Sequence, residues 1–376
     1  MLRALVGVLA VLLVVSGCGS AGRAAGPGRK PPRPNAAVRY EGHDGTSPTA
    51  PVGVSVPVGK VEQVALTNDD GKQVSGQASP DGRRWTAREP LGYGKNYTWS
   101  GRATGTDGKP VPLTGSFSTV KPAKRVKATL NPTDGAEVGV GMPISVKFNA
   151  PVRDRAAAER ALEVHTSTPV EGSWAWVSAQ QVDYRPKQYW PANTDVKVEA
   201  NLYGVHYGQG AFGADNVTTD FHVGRSQVVK ADARTHQLVV LRDGQQVASY
   251  PASYGEENDP ERNTPNGTYT VMEKKPEEIM DNPKFGYTNV HKKWAERISN
   301  HGEFIHENDE NAPNLGKRNN SHGCVNLSGA DAKAYFDSAL LGDPVEVSGG
   351  VVGMPTNFAV FDWLLSWDQW KHKSAL

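Results

Sequence analysis

The stretch "NNSHGCVNLSGADAKAYFDSALLGDPVEVS", residues 319 to 348, decides how the C-terminal half of the chain is read. From Ser328 onward it carries helix formers, with Ser328 placed as an N-cap and Gly342 near the end, and "PVEVS" then alternates as a strand. Upstream, "EFIHEN" (303–308) reads as a short strand carrying a histidine. "SQVVKADARTHQLVVLRDGQQVASYPASYG" predicts strands about a tight Asp243-Gly244 hairpin, and "NTPNGTYTVMEK" adds a turn and a strand. Residues 225–348 therefore read as a mainly β domain with one helix behind Cys324.

Working outward, residues 37–121 alternate apolar and polar in short runs separated by Asp-Gly turns, as in "VEQVALTNDDGKQVSGQASPDGRRWTA", which suits a small β-sandwich. Residues 122–224 repeat the idea. The pair "LGYGKNYTWS…GSFSTV" and "YWPANTDVKVEA…TDFHVG" is a weak internal repeat, so two Ig-like β-sandwich domains are expected before the β-rich domain. Within the second, only "RDRAAAERALEV" has helical spacing. On the other side, 349–376 forms a Trp-rich tail in which Trp363, Trp367 and Trp370 stand at helix-like spacing. A sugar-binding platform is one reading of that stripe; docking against a neighbouring domain is the commoner one.

The 376 residues suffice for two to three domains with real cores. Lys plus Arg (41) balance Asp plus Glu (40), so no whole-chain field points to nucleic acid. With 40 glycines, 26 prolines and 38% hydrophobic residues the chain is turn-rich and β-leaning. "MLRALVGVLAVLLVVSGC" (1–18) has the basic start, apolar run and small residues of a secretory signal. Its "VSGC" ending resembles the bacterial lipoprotein box, which makes Cys18 the lipidated anchor and places the protein on the extracytoplasmic face of the cell membrane. An ordinary signal peptide cut nearby and a short membrane helix are the alternatives. "GSAGRAAGPGRKPPRPNAA" follows, and residues 19–36 read as a flexible tether.

Cys324 is then the question, because the chain has 2 cysteines and a tether end is a poor disulfide partner. A buried structural thiol is the bland reading. Against it, Gly323 permits unusual dihedrals or close approach, the strand-to-helix transition brings a helix N-terminus that lowers a thiol pKa, and His322 and His306 offer bases. A zinc site from His301, His306, His322 and Cys324 is the rival, but His301 and His306 differ by five positions and so would face opposite sides of one strand. No metal and no cofactor are expected.

"SHGCVNL" with the upstream histidine of "FIHEN" resembles the active site of the L,D-transpeptidases: a histidine, about fifteen residues, then Ser/Thr-His-Gly-Cys and a following Asn. Here these are His306, Ser321, His322, Gly323, Cys324 and Asn326. "RNTPNGTYTV" is similar to the family's Thr-Pro-Asn-Gly turn, and "DWLLSWDQWKH" to the tail of its actinobacterial members. The resemblance implies a peptidoglycan acyltransferase. Cys324 would attack the third stem residue of a tetrapeptide donor, with His306 as base and the Glu307 carbonyl orienting its ring. Amides around Gly323 and Cys324 would hold the oxyanion, and His322 would shape the loop. Terminal D-Ala would leave, and a neighbouring stem's amine would resolve the thioester as a 3→3 crosslink. Water as acceptor would make a carboxypeptidase, a wall protein's amine an attaching transpeptidase, and an inert thiol a peptidoglycan-binding lipoprotein. Met280 and Tyr287 or Phe285 would cover the donor from a lid, Trp294 would serve as framework, and carbapenem β-lactams would acylate Cys324. The chain departs from the family after His306, where Glu307, Asn308, Asp309 and Glu310 replace Ser-Ala-Pro-Trp. That acidic rim would favour free amines and weaken contact with carboxylates.

Overall fold

A computed structural model describes residues 37–356 and 362–376; the signal segment, the tether and Cys18 lie outside them. The chain divides into two compact units. Of the described residues, one holds 37–42 with Pro51–Glu89 and Asn96–Phe117; the other holds His43–Ala50, Pro90–Lys95 and those from Ser118 to Leu376.

The first unit is built from two sheets. Arg39–Glu41, Gly53–Ser55, Arg84–Ala87 and Gly76–Ala78 lie side by side in one, and Lys60–Asn68, Asn96–Thr104 and Pro110–Pro112 in the other. Alternation explains the pairing: Tyr97, Trp99 and Ala103 are buried while their neighbours face solvent. Trp85 and Trp99 meet edge to face across the sheets, 5.7 Å between ring centroids.

The second unit opens with another sandwich. Ala128–Asn131, Ile144–Phe148, Gln181–Pro186 and Gly172–Trp176 form one sheet, and Glu137–Val138, Val217–Val223, Thr194–Ala200 and Leu162–Thr166 the other. Val146, Val198, Trp190 and Phe221 share its core. The helix expected over 153–164 is a short α1, Arg155–Glu159, capped by Asp154. Leu162, Glu163 and Val164 instead enter a strand, with Val164 opposite Val198. Burying an alternating pair against the facing sheet outweighs a weak helical preference.

The β-rich domain follows, with strands β1 (Gln227–Asp232), β2 (Gln237–Arg242), β3 (Gln245–Pro251), β4 (Gly267–Thr270), β5 (Glu273–Asn282), β6 (Tyr287–Arg297), β7 (Phe304–Glu307) and β8 (Val325–Leu327). Helix α2 (Gly329–Ser338) and strand β9 (Pro344–Ser348) complete it. One sheet runs β3-β2-β1-β9-β4 and the other β5-β6-β7-β8. The β2–β3 turn is Asp243-Gly244, both at positive φ (49° and 76°), the I′ geometry that Asp-Gly favours. Ser328 caps α2 by accepting from Asp331 N. Tyr335 of α2 is buried against Ile305, Val325 and Leu327, which fixes the helix behind β7 and β8. Met354 lies in the same core, so this domain continues past Ser348.

Sandwich and β-rich domain meet through backbone. Gly139 N and Gly141 N donate to the carbonyls of Leu341 (2.7 Å) and Gly342 (2.9 Å). A Cβ on Gly139 would stand 2.3 Å from Asp343 N, so only glycine allows this approach. The buried Asp343 takes a two-pronged Arg225 (2.8 and 2.7 Å) and Gln227 Nε2 (3.1 Å). Among the described residues of the tail, only α3 (Trp367–Lys371) is helical; Trp363 stands in a turn before it, its indole donating to Gly141 O at 2.7 Å. Trp370 is fully buried and donates to Ser173 O (2.9 Å). The Arg185 guanidinium lies 4.6, 5.4 and 5.0 Å from the rings of Trp363, Trp367 and Trp370.

Candidate active site

Strand β7 presents Ile305 to the core and His306 to the opposite face, as alternation requires. Its neighbour β8 runs parallel to it, with His306 beside Asn326. Two residues twenty positions apart in sequence thus become neighbours on one sheet. Ahead of β8 the chain turns through Ser321, His322 and Gly323, where Gly323 adopts φ +119°. This loop is braced from both ends. Ser321 Oγ donates to Cys324 O (2.6 Å) and accepts from Gly323 N (3.1 Å), while Thr264 Oγ1, from the "RNTPNG" turn, donates to Gly323 O (2.8 Å).

A strand therefore stands between Cys324 and α2, and the thiol is not at the helix N-terminus that the sequence led us to expect. The consequence is electrostatic. Burial, opposed by the Phe304 amide, pushes the Cys324 thiol up to about 12, so it rests protonated. The Sγ donates weakly to Gly302 O at 3.8 Å. The residue itself is half-buried and lines a cavity of about 320 Å³. The Gly323 amide, expected to serve an oxyanion, is engaged by Ser321.

His306 is buried, and burial pushes its imidazole down to about 4, with Lys292 adding to the depression. Its tautomer is set by partners. Nδ1 lies 2.6 Å from the Glu307 carbonyl, which can only accept, so Nδ1 carries the proton and Nε2 the lone pair. Nε2 accepts from Asn326 Nδ2 at 3.2 Å. His322 is exposed, its ring 5.2 Å from Phe285 and 5.3 Å from Tyr287. It joins the turn of the β5–β6 hairpin to the cysteine loop. His301 turns away to Glu303 (2.5 Å).

The expected lid is that hairpin. Met280 and Val290 are cross-strand partners, and with Tyr287 they line the cavity wall. Trp294 packs on Phe336 of α2 instead, 5.5 Å between centroids. Lys292 and Asn311 of the cavity were not anticipated, and Asn308 was read only as part of the rim. Lys292, two positions after Val290 on the same face, is 8% exposed, and its Nζ donates to Asn308 Oδ1 (2.9 Å). Asn308 Nδ2 and Asn311 Nδ2 both donate to Asn326 Oδ1 (2.8 and 3.2 Å). The signal available was the "VHKKW" run, where strand alternation carries the cavity face from Val290 to Lys292.

A single thiol among the described residues, a neutral imidazole whose Nε2 lone pair accepts from Asn326 at the wall of the same cavity, and a hairpin along that cavity define an enzyme with a cysteine nucleophile. Residues 226–347 match the L,D-transpeptidase catalytic domain, and residues 43–206 match the bacterial Ig domain in one run that reaches into the strands of both sandwiches. L,D-transpeptidase 5 of Mycobacterium tuberculosis is 43% identical, covering 98% of this chain and 83% of its own. L,D-transpeptidase 2 of the same species is 37% identical over 89% of this chain and 83% of its own. The solved structure of the L,D-transpeptidase LdtMt1 in complex with imipenem superposes with a TM-score of 0.51 at 33% identity, covering 60% of this chain and all (100%) of that one. The chain belongs to the L,D-transpeptidases.

Proposed function

We propose that the protein makes 3→3 crosslinks in peptidoglycan through a Cys324 thioester. The observation that carries this is the parallel β7–β8 pair, which sets His306 beside Asn326 at the wall of the cavity that Cys324 lines. His306 Nε2 leaves Asn326 and takes the thiol proton as Sγ bonds to the carbonyl carbon of the third stem residue. The C–N bond to the terminal D-Ala breaks, and the departing amine takes the proton back from Nε2. The side-chain amine of a neighbouring stem then attacks the thioester, and Sγ leaves as the thiol. The oxyanion of each tetrahedral intermediate falls to the Cys324 amide, because Ser321 holds that of Gly323; one such donor is worth about 3 kcal/mol. Met280 and Tyr287 cover the donor, and Glu307 O keeps the ring oriented.

Incubating the enzyme with disaccharide-tetrapeptide and following products by mass spectrometry tests this reading. An acyl-enzyme on Cys324, crosslinked dimer and free D-Ala are expected, and Cys324→Ala should remove all of them. Dimer formed by the Ala variant would discard the nucleophile. Trimmed tripeptide without dimer would assign carboxypeptidase activity instead. The imipenem complex of LdtMt1 supports acylation of Cys324 by carbapenems, read as an adduct mass. The lipobox ending at Cys18 further supports lipid anchoring at the outer face of the cell membrane. Cys18→Ala should abolish labelling by an alkyne fatty acid and release the protein from membranes.

A further inference from the structure

The polar groups behind the catalytic histidine form one directed chain. Lys292 Nζ can only donate, so the Asn308 atom facing it at 2.9 Å is its oxygen. Asn308 must then present Nδ2 to Asn326 Oδ1 (2.8 Å), and Asn326 must present Nδ2 to His306 Nε2 (3.2 Å). Asn311 Nδ2 adds a second donor to Asn326 Oδ1 at 3.2 Å. The chain ends where His306 Nδ1 meets the Glu307 carbonyl, 2.6 Å away. Every bond has its direction fixed by the lysine at one end and the carbonyl at the other.

Reversing the Asn326 amide shows what the direction accomplishes. Its oxygen would face Nε2, and with Glu307 O on Nδ1 the ring would lie between two acceptors. That surrounding stabilises the imidazolium, which is no base. We propose that Lys292 is a positioning residue of the reaction, which through Asn308 and Asn326 keeps Nε2 of His306 unprotonated and ready to accept the thiol proton. The other charged or titratable groups near the ring are Glu307, whose carboxylate is held by the amides of Asp309 and Lys293, Cys324, and the exposed rim residue Glu310, which lies 3.6 Å from Lys292. Lys292 therefore turns a cationic head toward the acidic stretch after His306 and converts it into part of the support for the base.

This inference rests on His306 being the base, and the test separates the two. The full-length protein carrying Asn308→Leu keeps the lysine charge but cuts the chain; Lys292→Met removes both, and Lys292→Arg retains a donor. For Asn308→Leu, burial and the lysine charge still hold the imidazole low, so the acid limb of the kcat/KM profile for D-Ala release should move only modestly above about pH 4, while kcat falls at least roughly tenfold with KM little changed. Lys292→Met should follow it, and Lys292→Arg should restore part of the rate. Histidine nitrogen-15 spectra read the same point without turnover: His306 should change from a single Nδ1–H tautomer to a mixture or to imidazolium when the chain is cut. If Asn308→Leu folds and leaves both tautomer and acid limb unchanged, the positioning role is wrong. If the wild type releases no D-Ala while the tautomer still follows Asn308, the functional reading fails and the positioning stands. Should Lys292→Met not fold, Asn308→Leu decides alone.

Discussion

Cys324 and His306 rest as a neutral pair, and their pH behaviour follows from that. With the imidazole pushed down to about 4, base catalysis should persist well below pH 6.5 and be lost only as pH falls through about 4. Alkylation of Cys324 by iodoacetamide should keep rising with pH beyond 9, because the thiol is pushed up to about 12. Linkage gives the stability signs. A depressed histidine contributes stability above its unfolded value near 6.5 and loses it as pH falls toward 4, about 3 kcal/mol in all. Urea melts of wild type and His306→Gln, compared at pH 7 and 4.5, should show the wild type losing more. At this scale the sequence was highly legible where a motif fixed spacing: Cys324, His306, Asn326 and Glu307 all gather at the cavity or just behind it. Thiol activation by a helix end was misread, because residues 325–327 are long enough to form a strand before the helix begins. Lys292 was only half legible: alternation in "VHKKW" sets it on the same face as Val290, but its burial depends on which face of β6 meets the cavity.

Helix α2 and strand β6 carry two tests at the level of the element. Ser328→Ala removes the α2 cap and should cost about 1 kcal/mol by chemical denaturation. Glu296 of β6 is fully buried with no hydrogen-bond partner for either carboxyl oxygen among the described residues, and burial pushes it up to about 9. A raised carboxyl contributes stability below its unfolded value near 4.5 and loses it as pH rises toward 9, by about 3 kcal/mol at pH 7. Glu296→Gln should flatten that decline between pH 5 and 8. His306 and Glu296 slope in opposite senses between about pH 4.5 and 6.5, where a wild-type titration alone shows little and the paired variants are needed; above 6.5 the Glu296 decline stands alone. The hairpins, the Ser328 cap and the strand bearing His306 could be read from local residues, because turn and cap chemistry is local. The 153–164 helix could not, because its second half is claimed by a partner strand, with Val164 opposite Val198, 34 positions away in sequence.

Across the whole molecule, the C-terminal indoles complete a domain that precedes the catalytic one. Trp370→Ala should lower stability by about 3–5 kcal/mol, seen as an earlier thermal transition, because the ring is fully buried. Arg225→Met should cost about as much by leaving Asp343 charged and unpaired between sandwich and catalytic domain. Domain order was legible from turn spacing and the catalytic motif; which surface the tryptophans cover was not, since helical spacing names a face and no partner. That tail also imposes a timetable. Trp370 bonds to Ser173, 197 positions earlier, and Trp176 donates to the carbonyl of Lys373. At ordinary synthesis rates the ribosome reaches Trp370 roughly 10 to 40 s after Ser173. In the later part of that interval, once the chain through Val223 has emerged, the sandwich stands with its Gly172–Trp176 strand unsealed and Arg185 without its aromatic cage. The enzyme is thus assembled in an order different from the one in which it is made, and its middle waits for residues synthesised after the active site.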